Sequence, residues 1–290
     1  MASLKEIKSR IASINSTQKI TAAMKMVSSA KLHHTQAAAE HMLAYSKELS
    51  GIFKSLLADC TDVDSPLLAK RDIGHIAVVV FSSNNGLCGG FNANIWKALQ
   101  ERILRYEAQH VRLSFFPVGK SVAKELAKAG YACRSDFLLD GEQPTFDTAV
   151  KVSHVLQGLF LSGEVDKVEL LYHHFHNMAR QDVTCEGYLP FSWDESKEGK
   201  GGNGGLISDY ILEPSAEELL DLLFPKMLDL QIYTVLLDAA TSEHAARMMA
   251  MQTANDNANE LIGDLTLQYN KTRQQAITNE LLDIMGGSQR

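Results

Sequence analysis

Two long stretches without proline, one near each end of the chain, constrain the fold most strongly. The first runs from Ser3 to about Ala58, and its only glycine is Gly51. The second, Lys226–Met285, contains only Gly263. As helices they would be about 84 and 90 Å long at 1.5 Å per residue, too long to fit inside a globular domain of this size. Both helices are therefore expected to project from the rest of the protein.

An apolar stripe along the first helix predicts a packing partner. Its early members follow the three-four-three spacing of one helix face: Leu4, Ile7, Ile11 and Ile14. The next positions of that face are polar: Thr17, Gln18 and Thr21. We expect the stripe to resume at Met24, Val27 and Ala30. On the second helix Thr253, Asp256 and Asn257 are expected to face the polar stretch.

Charge supports a pairing of the two ends. Residues 1–58 carry eight Lys or Arg against three Asp or Glu, which leaves +5, whereas residues 214–290 carry five against eleven, which leaves −6. Because both helices join the middle of the chain, they would lie antiparallel as a coiled coil. We expect the second helix to start at Glu213-Pro214-Ser215, to be kinked or broken at Pro225, and to end at Gly286-Gly287.

The middle of the chain changes character, because short β-branched runs alternate with helical patterns. This alternation predicts an α/β domain with a mostly parallel sheet. The domains are accordingly placed at 1–58 (first helix), 73–212 (α/β domain) and 213–290 (second helix). The expected strands are His75–Ser82, Val111–Val118, a segment near Tyr131–Leu138, Lys167–His176 and Asp182–Pro190. The expected helices run to about Gln109, and over Lys120–Ala129 and Thr145–Leu161.

Composition excludes several classes of protein. A net charge of −7 is unlike that of a dedicated nucleic-acid binder. No apolar run reaches the ~20 residues needed to span a bilayer, so membrane association would be indirect, through a partner. Four widely spaced cysteines without a CxxC pair are typical of reduced cytosolic thiols with structural roles: Cys60, Cys88, Cys133 and Cys185.

Three motifs raise the hypothesis of an enzyme. Gly119-Lys120-Ser121 follows a strand, but a P-loop needs a glycine at position 114, which is Ser114. Gly86–Asn92 is a glycine-rich turn without GxGxxG spacing, for which close backbone packing is the better interpretation. Cys88 within it has no histidine and orienting acid paired with it.

The third motif is the histidine run at residues 173–176. On a strand His174 and His176 share one face, as a metal pair would. No Cys, Asp or Glu close by completes a coordination set, so a solvated strand face is favoured. The sequence thus indicates two long helices, an α/β domain and no convincing active site, which points to a structural or mechanical role.

Motifs at both ends and after the first strand resemble the gamma subunit family of bacterial-type F1Fo ATP synthases. The similarity spans the chain in the expected order. It is carried by Ser3–Ser13, Ser16–Thr21, Ala23–Val27, Ser82-Ser83, Gly86–Asn92, Glu243–Met251, Asp256-Asn257, Tyr269–Lys271, Arg273–Thr278 and Glu280-Leu281.

The resemblance implies a Rossmann-like α/β domain beside a long antiparallel coiled coil that acts as a rotor. The coil would thread a ring of alpha and beta subunits, and the domain would meet epsilon and the membrane-embedded c ring, with delta elsewhere in the complex. Rotation would couple ion flow to ATP synthesis at the beta subunits. The chain itself would bind no nucleotide, metal or other cofactor, would perform no chemistry, and would lie peripherally on the cytoplasmic face of the bacterial inner membrane.

The resemblance also implies contacts for individual residues. Arg273, Gln274 and Thr278 would touch the catch loops of the alpha–beta ring. Met24 and Lys25, with Arg247 on the other helix, would face the beta-subunit lever. Leu281 and Ile284 would lie in the apolar bearing at the tip. Cys88 and Tyr210 would lie toward epsilon and the c ring.

Two departures and two alternatives stay open at this point. Asn84-Asn85 stands where the family commonly has Asp-Arg, which puts a charge contact from that loop in doubt, and the tail after Ile284 is short. One alternative is an α/β enzyme with a helical arm, which would bind ATP or NAD tightly. The other is a coiled-coil scaffold for unrelated partners, which would not copurify with ATPase subunits.

Overall fold

Two long terminal helices, with a four-stranded sheet and three shorter α-helices between them, are the main elements of the described part of the chain. The computed structural model describes residues 3–59, 65–69, 71–138, 144–191, 213 and 215–287. Helix α1 spans Leu4–Asp59 and helix α5 spans Ala216–Gly287. Between them lie β1 (His75–Phe81), α2 (Phe91–Ala108), β2 (Arg112–Val118), α3 (Lys120–Lys128), α4 (Phe146–Leu161), β3 (Lys167–Asn177) and β4 (Arg180–Leu189).

The sheet has the order β2-β1-β3-β4. Strand β1 pairs in parallel with both β2 and β3, and β4 is an antiparallel edge strand. Alternate residues of β1 serve two cores, as the two-residue period of a strand requires. One core, under α2 and α3, contains Ile76, Val78 and Val80. The other, under α4 and α5, contains Ala77, Val79 and Phe81. The predicted fold class, an α/β domain with a terminal coiled coil, is confirmed.

Helices α1 and α5 pack antiparallel in one unbroken register. Gln18 donates a side-chain hydrogen bond to Asn259, and the ring of Phe53 contacts that of Phe224. The two contacts are 35 residues apart on each helix, which is five heptads. Such a spacing keeps the same helix face turned toward the partner along a left-handed coiled coil.

The seam of α1 is more polar than predicted. Its buried and half-buried positions keep the heptad spacing beyond the polar stretch and include Lys25, Ser28, Leu32 and Thr35. The prediction that Val27 and Ala30 continue the stripe is wrong, since both are exposed. The prediction that three polar residues of α5 face the polar stretch is also wrong: Thr253, Asp256 and Asn257 are exposed. The contact to Gln18 comes instead from Asn259.

Pro225 lies inside α5 and does not end it. A proline in a helix interior removes one hydrogen bond and costs about 3 kcal/mol or more. Apolar packing around it offsets that cost, because Phe224 and Leu228 are 1% and 0% exposed. Fully burying one such side chain contributes about 1.5–3 kcal/mol. The expected break therefore does not occur, because tertiary contacts at the base of the coil hold the helix together across Pro225.

The predicted strand near Tyr131–Leu138 is wrong. Only Cys133 forms a bridge, to Phe115 on the outer edge of β2, and residues 136–138 are a turn. The polar residues after Cys133 turn to one another instead, as the bond from Arg134 Nε to Asp136 Oδ2 at 3.0 Å shows. Phe137 is nevertheless fully buried. The segment thus covers the sheet edge without extending the ladder.

Candidate functional site

The start of α3, where a P-loop would hold phosphate, is filled by the protein's own acceptors. Lys120 N donates to Asn84 Oδ1 at 3.0 Å, Ser121 N to the Ser83 carbonyl at 3.1 Å, and Val122 N to Ser82 Oγ at 3.3 Å. Phosphate binding at a helix start depends on free N–H groups, and these three are engaged. The arrangement favours a structural turn over a nucleotide site.

The glycine-rich turn after β1 packs against the long terminal helix α5. A Cβ on Gly89 would lie 3.7 Å from Ala250 Cβ, and the Arg247 guanidinium donates to the Asn85 carbonyl at 3.1 Å. Cys88 is 2% exposed, and its Sγ accepts from Asn92 Nδ2 at 3.2 Å. The turn is therefore held by its own polar side chains on one side and by α5 on the other, as close backbone packing predicts.

The histidines of β3 have different surroundings. His174 and His176 do share a face, with ring centroids 4.6 Å apart. Contrary to the sequence-based expectation, carboxylates lie close by: His174 pairs with Asp238 of α5, and His176 Nε2 lies 3.1 Å from Asp182. These are two separate pairs, and the described residues contain no group of three or more ligands that could hold a metal ion.

His173 points away from these pairs and is 1% exposed. Its ring stacks on Phe91 at a centroid distance of 4.1 Å, and neither ring nitrogen has a hydrogen-bond partner. Burial lowers the pKa of His173 to about 4. His173 borders a cleft of about 290 Å³ between the glycine-rich turn, the β3–β4 hairpin and α5, lined also by Gly89, Phe91, Met178, Met249 and Ala250.

Beyond the cleft α5 continues to Gly287, and most of its side chains there are exposed. From Thr253 to Gly287 it rises about 51 Å. The side chains expected to meet a surrounding ring are exposed there: Arg273, Gln274, Thr278, Leu281 and Ile284. The apolar ones are strongly so, with Leu281 56% and Ile284 68% exposed. An exposed apolar end of this kind is typical of an interaction surface.

Met24, Lys25 and Arg247 lie lower on the coil. Met24 and Lys25 are half-buried, whereas Arg247 is 9% exposed and forms a 2.8 Å ion pair with Glu243. In the register of the coil Arg247 lies opposite residue 30, about one and a half turns from Lys25. The structure thus brings these three residues into one region. Tyr210, like Cys60, lies outside the described residues.

Comparison with known proteins gives this architecture a family. A family model described as ATP synthase matches residues 3–289. The ATP synthase gamma chain of Parabacteroides distasonis is 59% identical over 288 residues, covering 99% of both chains. The chain belongs to the ATP synthase gamma chain family. The gamma chain of Phocaeicola vulgatus is 50% identical over 289 residues, again covering 99% of both chains.

Solved structures agree with the gamma-chain fold. A chain of the Euglena gracilis mitochondrial ATP synthase assembly containing OSCP, F1 and the c-ring matches with a TM-score of 0.68 at 20% identity. The match covers 98% of this chain and 92% of the Euglena chain. A chain of the Tetrahymena thermophila mitochondrial central stalk and c-ring matches with a TM-score of 0.57 at 20% identity. The match covers 81% of this chain and 99% of the Tetrahymena chain. At that identity the likeness concerns the fold.

Sequence reasoning missed two polar residues that join α5 to the sheet. Asp238 accepts from the Phe175 backbone N–H at 2.7 Å, and Ser242 Oγ donates to the His173 carbonyl at 3.0 Å. The available signal was an aspartate within the apolar run Val235–Ala240. Within the described residues, no helix is both long and apolar enough to cross a membrane.

Proposed function

We propose that this chain is the central rotor shaft of an F-type ATP synthase, coupling ion flow through a c ring to ATP synthesis at beta subunits. The observation that carries the proposal is the shaft itself. Helix α5 is continuous over 72 residues, is paired with α1 in one register, and extends about 51 Å beyond the cleft. A rod of that shape, in a gamma chain, suits the transmission of rotation.

The exposed side chains of α5 are proposed to contact the surrounding subunits. Gln274, Thr278 and Leu281 are spaced at i, i+4 and i+7 and so share one helix face. With Arg273 and Ile284 they would meet the alpha–beta ring. Neutral amide and hydroxyl groups can exchange hydrogen-bond partners with water at small net cost, which suits a surface that turns against another.

Met24, Lys25 and Arg247 are proposed to face the beta subunits lower down the coil. Because Arg247 is almost buried and paired with Glu243, it would support that surface more than present its charge to it. Cys88 and Tyr210 are proposed to mark the side toward epsilon and the c ring. Cys88 is 2% exposed, so the neighbouring Leu87, at 65%, would make the contact.

The chain is further proposed to be non-catalytic, with chemistry performed by its partners. The engaged amides at the start of α3 support this, since they leave no free cradle for phosphate there. The proposed partners are alpha, beta, epsilon and delta subunits and the c ring, with no nucleic acid. The proposed location is the cytoplasmic face of the bacterial inner membrane, reached through those partners.

The test is reconstitution with alpha and beta subunits from the same organism. We expect the purified chain alone to hydrolyse no ATP, and a stable, strongly hydrolysing complex to form when the three are mixed. Omission of the chain is the control for activity of the ring alone. Hydrolysis or tight nucleotide binding by the isolated chain would favour an α/β enzyme. Failure to assemble with any such subunits would favour a scaffold with other partners.

A further inference from the structure

The sheet contacts only one side of the shaft helix α5, and the opposite side faces α1. The side toward the sheet carries apolar residues of the main core: Leu228, Ile232, Val235, Leu236 and Ala239. The side toward α1 includes His244, which feels the charge of Lys31. Apolar contacts resist separation of two surfaces, but they are non-directional and resist sliding or turning weakly. Directional bonds are needed to stop α5 from turning against the sheet.

One such set of bonds lies at one edge of the apolar face. The carboxylate of Asp238 accepts from His174 Nδ1 and, at 2.7 Å, from the Phe175 backbone N–H. The Asp238 side chain is only 17% exposed, and burial raises its pKa. One turn later Ser242 Oγ donates to the His173 carbonyl at 3.0 Å. Strand β3 is thus bonded to α5 by three hydrogen bonds within about one helical turn.

The strand that makes these bonds extends beyond the sheet. Strand β1 pairs with β3 only as far as Leu171, and from Tyr172 onward β3 is paired with β4 alone. Residues 172–184 therefore form a two-stranded arm lying along α5. The arm is anchored on its inner side by the stacking of His173 on Phe91, the first residue of α2. A force on the arm would pass directly into the α/β domain.

The other edge of the face is held by Arg247. It lies nine residues after Asp238, which is two and a half helical turns, so the two side chains leave α5 on opposite sides. Arg247 Nη2 donates to the Asn85 carbonyl at 3.1 Å, in the turn after β1. That turn is itself braced, since Ser83 Oγ donates to the same carbonyl at 2.7 Å. The sheet therefore grips α5 from both flanks.

We propose that this two-sided grip locks the shaft to the α/β domain against rotation in either sense, and that Asp238 is a positioning residue for coupling. The inference rests on the proposed rotor function and assigns the step at which torque crosses from domain to shaft. Each lost hydrogen bond should raise the detached population of the arm by roughly two- to tenfold. A looser grip would let the coil turn further before the domain follows.

The test uses the whole complex in sealed vesicles, where ATP hydrolysis is held back by the ion gradient it builds. The readout is the acceleration of hydrolysis when an ionophore collapses that gradient. We expect a marked acceleration with the parent chain and a loss of it in Asp238→Ala/Ser242→Ala, with hydrolysis in the presence of ionophore unchanged. Asp238→Asn retains an acceptor for the Phe175 N–H and should restore much of the response.

Asp182→Ala is the matched control, because it removes a carboxylate from a histidine of the same arm without touching α5. It should respond as the parent does. A double variant that responds like the parent would overturn the grip. A double variant whose hydrolysis and response fall together with the amount of assembled complex would reduce Asp238 to a folding role. Two other outcomes would count against the rotor function instead: a complex that assembles without this chain, or a parent complex whose hydrolysis does not respond to the ionophore.

Discussion

The ring of Phe53, on α1, meets the ring of Phe224, on α5, edge to face with centroids 4.9 Å apart. The interplanar angle is 89°. Phe191, which follows β4, contacts both rings at centroid distances of 5.9 and 5.8 Å. Edge-to-face pairs stabilise by about 0.5–1.5 kcal/mol beyond the area they bury. The three rings thus join the base of the coil to the α/β domain at one point.

Phe53→Ala should destabilise the chain by about 3–5 kcal/mol, because it leaves a cavity beneath two aromatic rings. Phe53 is fully buried, whereas the adjacent Ile52 is 40% exposed. Ile52→Ala is therefore the matched control and should cost a fraction of that amount. Urea unfolding followed by circular dichroism measures both variants. Equal losses for the two would mean that the ring cluster contributes nothing specific.

The helices of the coil could be predicted from the sequence, but the seam between them only in part. The early stripe through Ile7, Ile11 and Ile14 is apolar, so periodicity reveals it. Farther along, the seam uses Ser28 in place of the exposed Val27. A small polar residue can sit at a close helix contact while its hydroxyl bonds locally, and hydrophobicity does not reveal such a position. The sequence also did not predict that α5 continues through Pro225, because packing against distant residues decides whether the helix continues there.

Gly119→Ala should destabilise by roughly 2–4 kcal/mol through backbone strain and a steric clash. Gly119 has φ of +103°, and a Cβ there would lie 2.1 Å from the Ser82 carbonyl oxygen. Gly130 also has a positive φ, +83°, but a Cβ there meets nothing within 4 Å. Gly130→Ala thus measures the strain without the clash. Thermal melting of both variants separates the two effects, and similar melting temperatures would contradict the clash.

Acid should destabilise the fold through two buried histidines, His173 on β3 and His244 on the side of α5 that faces α1. Burial lowers the pKa of His173 to about 4, and burial with the charges of Arg247 and Lys31 lowers that of His244 to about 4. An unfolded histidine titrates near 6.5, so the unfolded chain binds more protons below that pH. The stability these neutral rings contribute is present above pH 6.5 and lost as the pH falls toward 4.

His173→Phe should flatten this pH dependence while keeping the ring that stacks on Phe91. We expect the free energy of unfolding between pH 7 and 4.5 to fall by roughly 1–3 kcal/mol less than in the parent, since one pKa unit corresponds to about 1.4 kcal/mol. His154→Phe, at an exposed position of α4, is the control and should leave the slope unchanged. Parallel pH profiles for the parent and His173→Phe would rule out this role for His173.

Sequence motifs indicated the exposed residues of the candidate site, but they could not predict the contacts between elements that are distant in the chain. Exposed residues of the late helix, such as Thr278, follow from the family resemblance. The bond from Asp238 to the β3 arm joins residues 63 and 64 positions apart in the chain. Nothing in local spacing predicts which strand an aspartate in an apolar helix will meet. Its presence in that run was a signal, but its partner had to come from the fold.

The late part of α5 is rich in neutral amides, and this should matter for turning. Between Gln252 and Asn279 it carries nine Asn or Gln residues: Gln252, Asn255, Asn257, Asn259, Gln268, Asn270, Gln274, Gln275 and Asn279. Most of them are exposed. Burying a large apolar side chain against a surrounding ring would stabilise one orientation of the shaft by about 1.5–3 kcal/mol. The shaft would have to overcome that stabilisation on every turn.

Asn257→Leu/Asn270→Leu/Gln275→Leu should therefore slow ATP turnover of the assembled complex without unfolding the shaft. Leucine has a higher helix propensity than asparagine and about the same propensity as glutamine. Helicity and melting temperature should stay at or above those of the parent. Alanine at the same three positions removes the amides without adding a large apolar surface, and it should turn over close to the parent rate. If the leucine variant turns over as fast as the alanine variant, the amides have no part in keeping the shaft free to rotate.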